Sequence, residues 1–238
     1  MIKAAINRIL ELATPTTLGI EGQLYCNQNL KRVNKELRAE PLRVNSLSSL
    51  IDYIKGAKDL KSCDYIVQIV SPEKVSLISS LDTDRERETL MVAVAELPEF
   101  SFGRNIPHES FIIGVRSKFK ENSDRELVLK FAGTVKSGTV KEYGDDGITQ
   151  KATVKHGVSS MSEAIVPSPC QLAPYRTFIE VEQPESSFIF RLKEDSDGEI
   201  SCALHEADGG AWRLEAIKNI KQYLSDQLGD QGNILIIS

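Results

Sequence analysis

The stretch that divides two apolar patterns in the chain is His205-Glu206-Ala207-Asp208-Gly209-Gly210-Ala211-Trp212-Arg213. Apolar residues alternate before it, as in a strand, and recur at helical spacing after it, at Ile217, Ile220, Leu224 and Leu228. Two glycines in a first helical turn cost about 1 kcal/mol each relative to alanine, so they indicate a need for bare backbone. We expect Asp208 to cap the helix, Trp212 to pack into the core and the glycines to lie against a sheet.

The same helix start also supports a second interpretation, contact with an anion. Free backbone N–H groups and the helix dipole attract negative charge, and Arg213 can donate two hydrogen bonds to a phosphate or carboxylate. Arg176 follows Pro174-Tyr175, and tyrosine and arginine are favoured at binding sites. The candidate binding residues are therefore Arg176, Trp212 and Arg213, with a small anionic ligand such as a nucleotide signal.

Antiparallel strands are predicted throughout the second half of the chain. Residues 139–143 and 148–155 flank a turn at Gly144-Asp145-Asp146-Gly147. Residues 178–182 alternate apolar and acidic side chains, which also predicts a strand. The next two strands form a hairpin, with the inward positions Phe188, Phe190, Leu192, Ile200, Cys202 and Leu204.

Helices and strands are mixed in the first half. Helices are predicted at 2–12, after the cap Ser46, from Pro107 as the first helical residue, and at 124–132 with Leu127 on its apolar face. Strands are predicted on both sides of Glu21-Gly22 and at 64–70, 75–81 and 89–97, the last being covered on both faces. The fold class is therefore α+β, with a mixed part at 1–133 and an antiparallel part at 134–238 that a helix and a final strand close.

Composition narrows the functional class. The net charge of −5 argues against general nucleic-acid binding, and no apolar run is long enough to cross a membrane. Four cysteines without a CxxC pair are typical of a reducing cytoplasm. The chain has no HxxxH, Walker or G-x-G-x-x-G pattern and no nucleophile elbow. We therefore predict no metal, no cofactor and no enzymatic activity, although His205, Glu206 and Asp208 form a weak metal-ligand alternative.

Two segments are candidates for contacts between subunits of a homo-oligomer. A dense run of mixed charge contains Arg85 and Arg87, which is typical of a solvated loop, a protected strand edge or a salt-bridge seam. The chain then ends in an apolar strand that needs a sheet to join, formed by Ile234, Leu235, Ile236 and Ile237.

Four strings of residues also resemble a known family. They are the helix segment 49–55, the turn and strand at 71–77, Leu97-Pro98-Glu99-Phe100 with the following helix 109–119, and the paired strands at 188–204. In this succession the chain resembles the YfdQ-like family of uncharacterised phage and prophage proteins. The resemblance implies a phage-associated, oligomeric protein in the cytoplasm of a bacterial host cell, and it supplies no catalytic residues.

The leading functional hypothesis is a non-enzymatic phage or prophage accessory protein that acts through self-assembly and binding. The alternatives are a module that sequesters a small anionic ligand and an accessory protein of DNA recombination.

Overall fold

The computed structural model describes residues 2–20, 23–28, 38–56, 64–82, 85–141, 150–156, 160–229 and 233–238. The chain divides into two compact units, Met1–Ala39 and Glu40–Ser238. Helices are interspersed among strands along the chain, and the strands form mixed and antiparallel sheets, so the predicted α+β class is confirmed.

In the described part of the first unit, the chain forms one helix and one hairpin, as the sequence predicts. Helix α1 spans Ile2–Ala13, and the antiparallel strands β1 and β2 span Thr17–Ile20 and Gln23–Cys26. The side chain of Asn27 accepts a hydrogen bond from the backbone N–H of Thr16 at 2.8 Å. This bond holds the two ends of the hairpin together.

A five-stranded sheet begins the second unit. Its strands are β3 (Leu42–Val44), β4 (Tyr65–Ser71), β5 (Lys74–Ser79), β6 (Thr89–Val94) and β14 (Ile234–Ile237). Their order is β14-β4-β5-β6-β3, in which β14 runs parallel to β4 and β3 runs parallel to β6. Strand β6 is not covered on both faces as predicted, because Met91 and Ala93 are buried whereas Val94 is 43% exposed.

Two helices cover the buried face of this sheet. Helix α2 (Leu47–Gly56) buries the predicted residues Leu47, Leu50, Ile51 and Ile54, and Ser46 accepts a capping hydrogen bond from the N–H of Ser49. Helix α5 (Trp212–Leu228) packs against β4, β14 and α2, and buries Ile220, Leu224 and Leu228. These buried faces form the first core, and their burial is the main force that holds the helices and the sheet together.

A second core lies under the sheet β11-β12-β13-β7. Its strands are β7 (Ile106–Pro107), β11 (Cys170–Leu172), β12 (Ser186–Glu194) and β13 (Ile200–Glu206). Helices α3 (His108–Lys118) and α4 (Ser123–Thr134) pack against it. The predicted inward residues of the β12–β13 hairpin are confirmed, apart from the half-buried Ile200, and the Phe111 and Phe190 rings stack at 5.4 Å.

Two details of α3 and α4 differ from the sequence prediction. Pro107 precedes α3 as its N-terminal cap residue instead of occupying its first turn. Leu127 is 52% exposed, whereas the α4 positions that face the core are Val128, Leu129 and Ala132. The apolar side of α4 is therefore rotated from the expected one by a residue or two.

The third sheet of this unit has the order β10-β9-β8. Its strands are β8 (Val135–Lys141), β9 (Lys151–His156) and β10 (Ser160–Ile165), paired antiparallel. The pairing of β8 with β9 agrees with the hairpin predicted here, while the turn itself, Gly144 to Gly147, lies outside the described residues.

Residues 178–182 form a turn instead of the predicted strand. The side chain of Gln183 takes the place of a neighbouring strand: its Oε1 accepts from the N–H of Arg176 and Thr177, and its Nε2 donates to the carbonyls of Phe178 and Val181. Phe178 and Val181 are thereby buried in the first core, and Ile179 between them is 81% exposed.

Strand β14 joins the five-stranded sheet of the first half, and helix α5 packs against that sheet. The sequence prediction grouped them with the antiparallel part at 134–238, since local patterns do not show which sheet a terminal strand joins. The parallel pairing of β14 with β4 makes that choice, because Ile234 lies opposite Tyr65 and Ile237 opposite Gln68. The boundary between 133 and 134 itself stays a prediction.

Candidate functional site

A cleft of about 240 Å³ opens in the second unit where the ends of both cores meet. It is bordered by the turn between β4 and β5, the segment after β6, the end of α3, the end of β13 and the start of α5. Its polar lining consists of Glu73, Lys118, Tyr175, Arg176, Glu206 and Arg213. Its apolar lining consists of Leu97, Pro98, Phe100, Phe102, Pro174 and Trp212.

The structure brings together the three binding residues that the sequence predicts. Arg176 comes from the segment after β11, whereas Trp212 and Arg213 open α5. The guanidinium carbon of Arg176 lies 4.0 Å from the centroid of the Trp212 ring, and that of Arg213 lies 5.0 Å from it. Both distances lie within the range of cation–π attraction.

Arg176 is a buried cation with a fixed position. Only 6% of its surface is exposed, its Nη1 donates to Glu206 at 2.6 Å, and its Nη2 donates to Ser186. Burial lowers the pKa of Arg176 to about 10, although Glu206 and Asp208 act to raise it and Arg213 lowers it further. Arg176 therefore stays protonated at neutral pH, and its charge is already matched by Glu206.

Asp208 holds the start of α5, although the N-terminal cap position itself is Ala211, three residues later. Its carboxylate accepts from the N–H of Gly210 at 3.0 Å and from the N–H of Trp212 at 3.2 Å. Partial burial acts to raise the pKa of Asp208, but these bonds, the hydroxyl of Ser186 and the charge of Arg176 hold it below its ordinary value. Asp208 is thus ionised and committed to the helix start.

The glycine pair has a different role from the predicted one. Gly209 and Gly210 adopt φ values of +64° and +82°, a region that residues with a side chain rarely occupy. A Cβ atom on Gly209 would have no neighbour within 4 Å, so this residue does not press against a sheet. The two glycines reverse the chain between β13 and α5, which places Trp212 over Arg176.

Arg213 provides an uncommitted cation at the cleft. Its side chain is exposed and folds back over Gly210, where an added Cβ would clash with its Nη1. Among the described residues, no carboxylate pairs with its guanidinium and no acceptor receives a hydrogen bond from it. Arg213 can therefore form a bidentate contact with an incoming anion.

Two buried N–H donors at the cleft have no acceptor among the described residues. They are Nε1 of Trp212, whose side chain is 7% exposed, and Nε of Arg176. A buried donor without an acceptor costs about 1–3 kcal/mol, and such donors often mark functional positions.

The sequence does not single out Glu73, Lys118, Phe100 or Phe102 as site residues. The carboxylate of Glu73, which is exposed in the turn between β4 and β5, has no hydrogen-bond or ion-pair partner among the described residues. Lys118 donates from Nζ to the backbone carbonyl of Glu99. A charged residue in a turn is common in any sequence, so only the tertiary fold identifies Glu73.

A second groove, of about 470 Å³, gathers part of the predicted subunit contact. It is lined by Arg87, Ile234 and Leu235 together with residues at the ends of β4 and β5. Arg85 is not among its lining residues and lies in an exposed turn with φ +59°. Ile236 packs against the first core, whereas Ile237 is 37% exposed.

The described residues contain no group of three or more His, Cys, Asp or Glu side chains arranged to hold a metal ion. Glu206 instead pairs with Arg176, and Asp208 caps α5. No helix in the described ranges has the length and apolar character needed to cross a membrane.

In comparisons with known proteins, no family model, curated protein or solved structure matched the chain. The resemblance to the YfdQ-like family therefore stays a prediction.

Proposed function

We propose that the protein is a binding module that holds a small ligand with an anionic group in the cleft beside Trp212. The observation that carries this proposal is the convergence of Arg176, Trp212 and Arg213, which come from separate segments of the chain. Arg213 supplies the cation that contacts the ligand, since the charge of Arg176 is matched by Glu206.

The rest of the cleft suits a compact organic ligand. Phe100, Phe102 and Pro174 provide apolar surface, and a few polar groups converge on the same space. A volume of about 240 Å³ lies below the usual range for drug-sized ligands, so the ligand is small.

The test uses the single tryptophan of the chain. Because Trp212 lines the cleft, its fluorescence should change when phenyl phosphate, 3-phenylpropanoate, AMP or inorganic phosphate occupies the cleft. Titrations on the full chain, with a thermal-shift measurement alongside, give the affinity and the stabilisation.

Arg213→Gln should weaken binding of any anionic probe by about tenfold or more, since a charge-assisted hydrogen bond contributes about 1.5–3 kcal/mol. Lys221→Gln, an exposed change on α5, is the matched control and should leave affinity unchanged. Absence of binding by every probe, or equal binding by Arg213→Gln, would overturn the proposal.

We propose, as a second candidate, a phage or prophage accessory protein that assembles with copies of itself along β14. Among the described residues β14 has a strand partner on one side only, namely β4. The open edge carries apolar side chains, and Leu235 is 57% exposed. Such an edge supports pairing with a second copy, and the phage setting comes from the resemblance alone.

Light scattering at micromolar concentration tests the assembly. Leu235→Lys should shift the protein toward the monomer, whereas Ile113→Lys, an exposed apolar position on α3, should not. A wild-type protein that is strictly monomeric would overturn the assembly proposal.

A further inference from the structure

The cleft offers an anion as well as a cation to a ligand. Arg213 and Glu73 both line it, and neither side chain has a charged partner among the described residues. The other carboxylate of the lining, Glu206, is held by Arg176 at 2.6 Å. The lining therefore contains one carboxylate and one guanidinium without a charged partner among the described residues, in addition to Lys118, whose ammonium group donates to the backbone carbonyl of Glu99.

A simple anion would use only half of this arrangement. Bound next to Arg213, it would share a cleft of about 240 Å³ with Glu73, and like charges repel. A ligand with both a carboxylate and an ammonium group would match the two charges without that repulsion.

The remaining lining indicates what lies between or beside the two charged groups. Leu97, Pro98 and Phe100 lie in the segment after β6, and Phe102 and Pro174 add further apolar surface. These residues can take an aliphatic or aromatic side chain of the ligand out of water.

We propose that the ligand is a zwitterion the size of a free amino acid with an apolar side chain, whose carboxylate contacts Arg213 and whose ammonium contacts Glu73. This inference rests on the proposed binding function and narrows it from any small anion to one chemical class. Glu73 thereby becomes a specificity-determining residue.

Three probes of one size separate the contributions of the charges. L-phenylalanine has both groups, 3-phenylpropanoate lacks the ammonium, and phenethylamine lacks the carboxylate. Calorimetric titration of the full chain should give L-phenylalanine an affinity about tenfold or more above that of either analogue, because each analogue leaves one charged group of the cleft unpaired.

Matched variants connect each charge to one residue. Glu73→Gln should weaken L-phenylalanine binding to the level of 3-phenylpropanoate and leave 3-phenylpropanoate binding equal or stronger. Arg213→Gln should weaken both. Glu215→Gln removes one exposed carboxylate of α5 away from the cleft, and should change none of the affinities.

The outcomes distinguish this inference from the function on which it rests. If 3-phenylpropanoate or phenyl phosphate binds as tightly as L-phenylalanine, or if Glu73→Gln leaves the preference intact, the zwitterion is wrong while the anion-binding function stands. If phenethylamine alone binds, or no probe binds, both are wrong.

Discussion

Replacement of Trp212 by alanine should destabilise the second unit by about 3–5 kcal/mol, the usual cost of removing a large buried aromatic side chain. The side chain is 7% exposed, and a buried aromatic residue removes about 150–250 Å² from water. At about 25 cal/mol per Å² this burial contributes about 4–6 kcal/mol, which is an upper bound because the unfolded chain is partly compact. The stacked guanidinium of Arg176 adds to the cost, since Trp212→Ala leaves its buried charge without the indole face.

Urea unfolding followed by circular dichroism measures this change in the free energy of unfolding. Leu214→Ala is the matched control, because Leu214 lies on the same helix and is 67% exposed, and it should change stability by less than about 0.5 kcal/mol. A loss below about 1 kcal/mol for Trp212→Ala would refute the claim that the indole holds the start of α5 on Arg176.

Three further predictions concern buried polar groups. Gln183→Leu should cost at least about 3 kcal/mol in urea unfolding, because the N–H groups of Arg176 and Thr177 and the carbonyl of Val181 lose their partner, and buried unpaired groups cost about 1–3 kcal/mol each. The carbonyl of Phe178 keeps the N–H of Val181. A loss under about 1 kcal/mol would contradict this. Cys170 and Cys202 should resist alkylation of the native protein at pH 8 while the exposed Cys26 reacts, because burial raises the pKa of both buried thiols to about 12. Mass spectrometry after labelling measures the reaction of each cysteine, and equal labelling of all three would count against this prediction. Burial acts to raise the pKa of Asp208, but hydrogen bonds and Arg176 outweigh it and lower the pKa below the ordinary value of 3.8. Ionised Asp208 therefore stabilises the fold above that pH, and this contribution is lost as the pH falls below it. Asp208→Asn should flatten the acid side of the stability curve below about pH 4, and an unchanged slope would argue against the role of Asp208 at the start of α5.

Local pattern was enough to predict the elements whose side chains repeat with one period. Helix α5 and the β12–β13 hairpin are confirmed because their buried residues recur at helical spacing and at every second position. The same rule fails at 178–182, where alternation is present but the backbone groups bind the amide of Gln183. A side chain that substitutes for a strand leaves no period in the sequence.

Sequence also indicated the three binding residues one by one, but not their meeting. Arg176 is held beside Ser186 and Glu206 on the second sheet, whereas Trp212 begins a helix that packs on the first. Their contact at 4.0 Å thus depends on how the two cores are joined. Glu73 was missed for the same reason, since it enters the cleft through the turn between β4 and β5.

The charged residues around the cleft fall into two groups, those with a structural partner and those without a partner among the described residues. Glu206 and Asp208 are the carboxylates that act to raise the pKa of Arg176, and both have a structural role. Glu206 pairs with Arg176, and Asp208 accepts hydrogen bonds at the start of α5. Because Glu206 and Asp208 are engaged in contacts that stabilise the fold, removing either carboxylate should lower the free energy of unfolding. Arg213 and Glu73 form no ion pair or side-chain hydrogen bond among the described residues. Removing Glu73 should therefore leave stability within about 0.5 kcal/mol, and removing Arg213 should cost no more than about 0.5–1 kcal/mol from its stack on Trp212. A loss of affinity with little loss of stability is the signature expected of Arg213→Gln and Glu73→Gln.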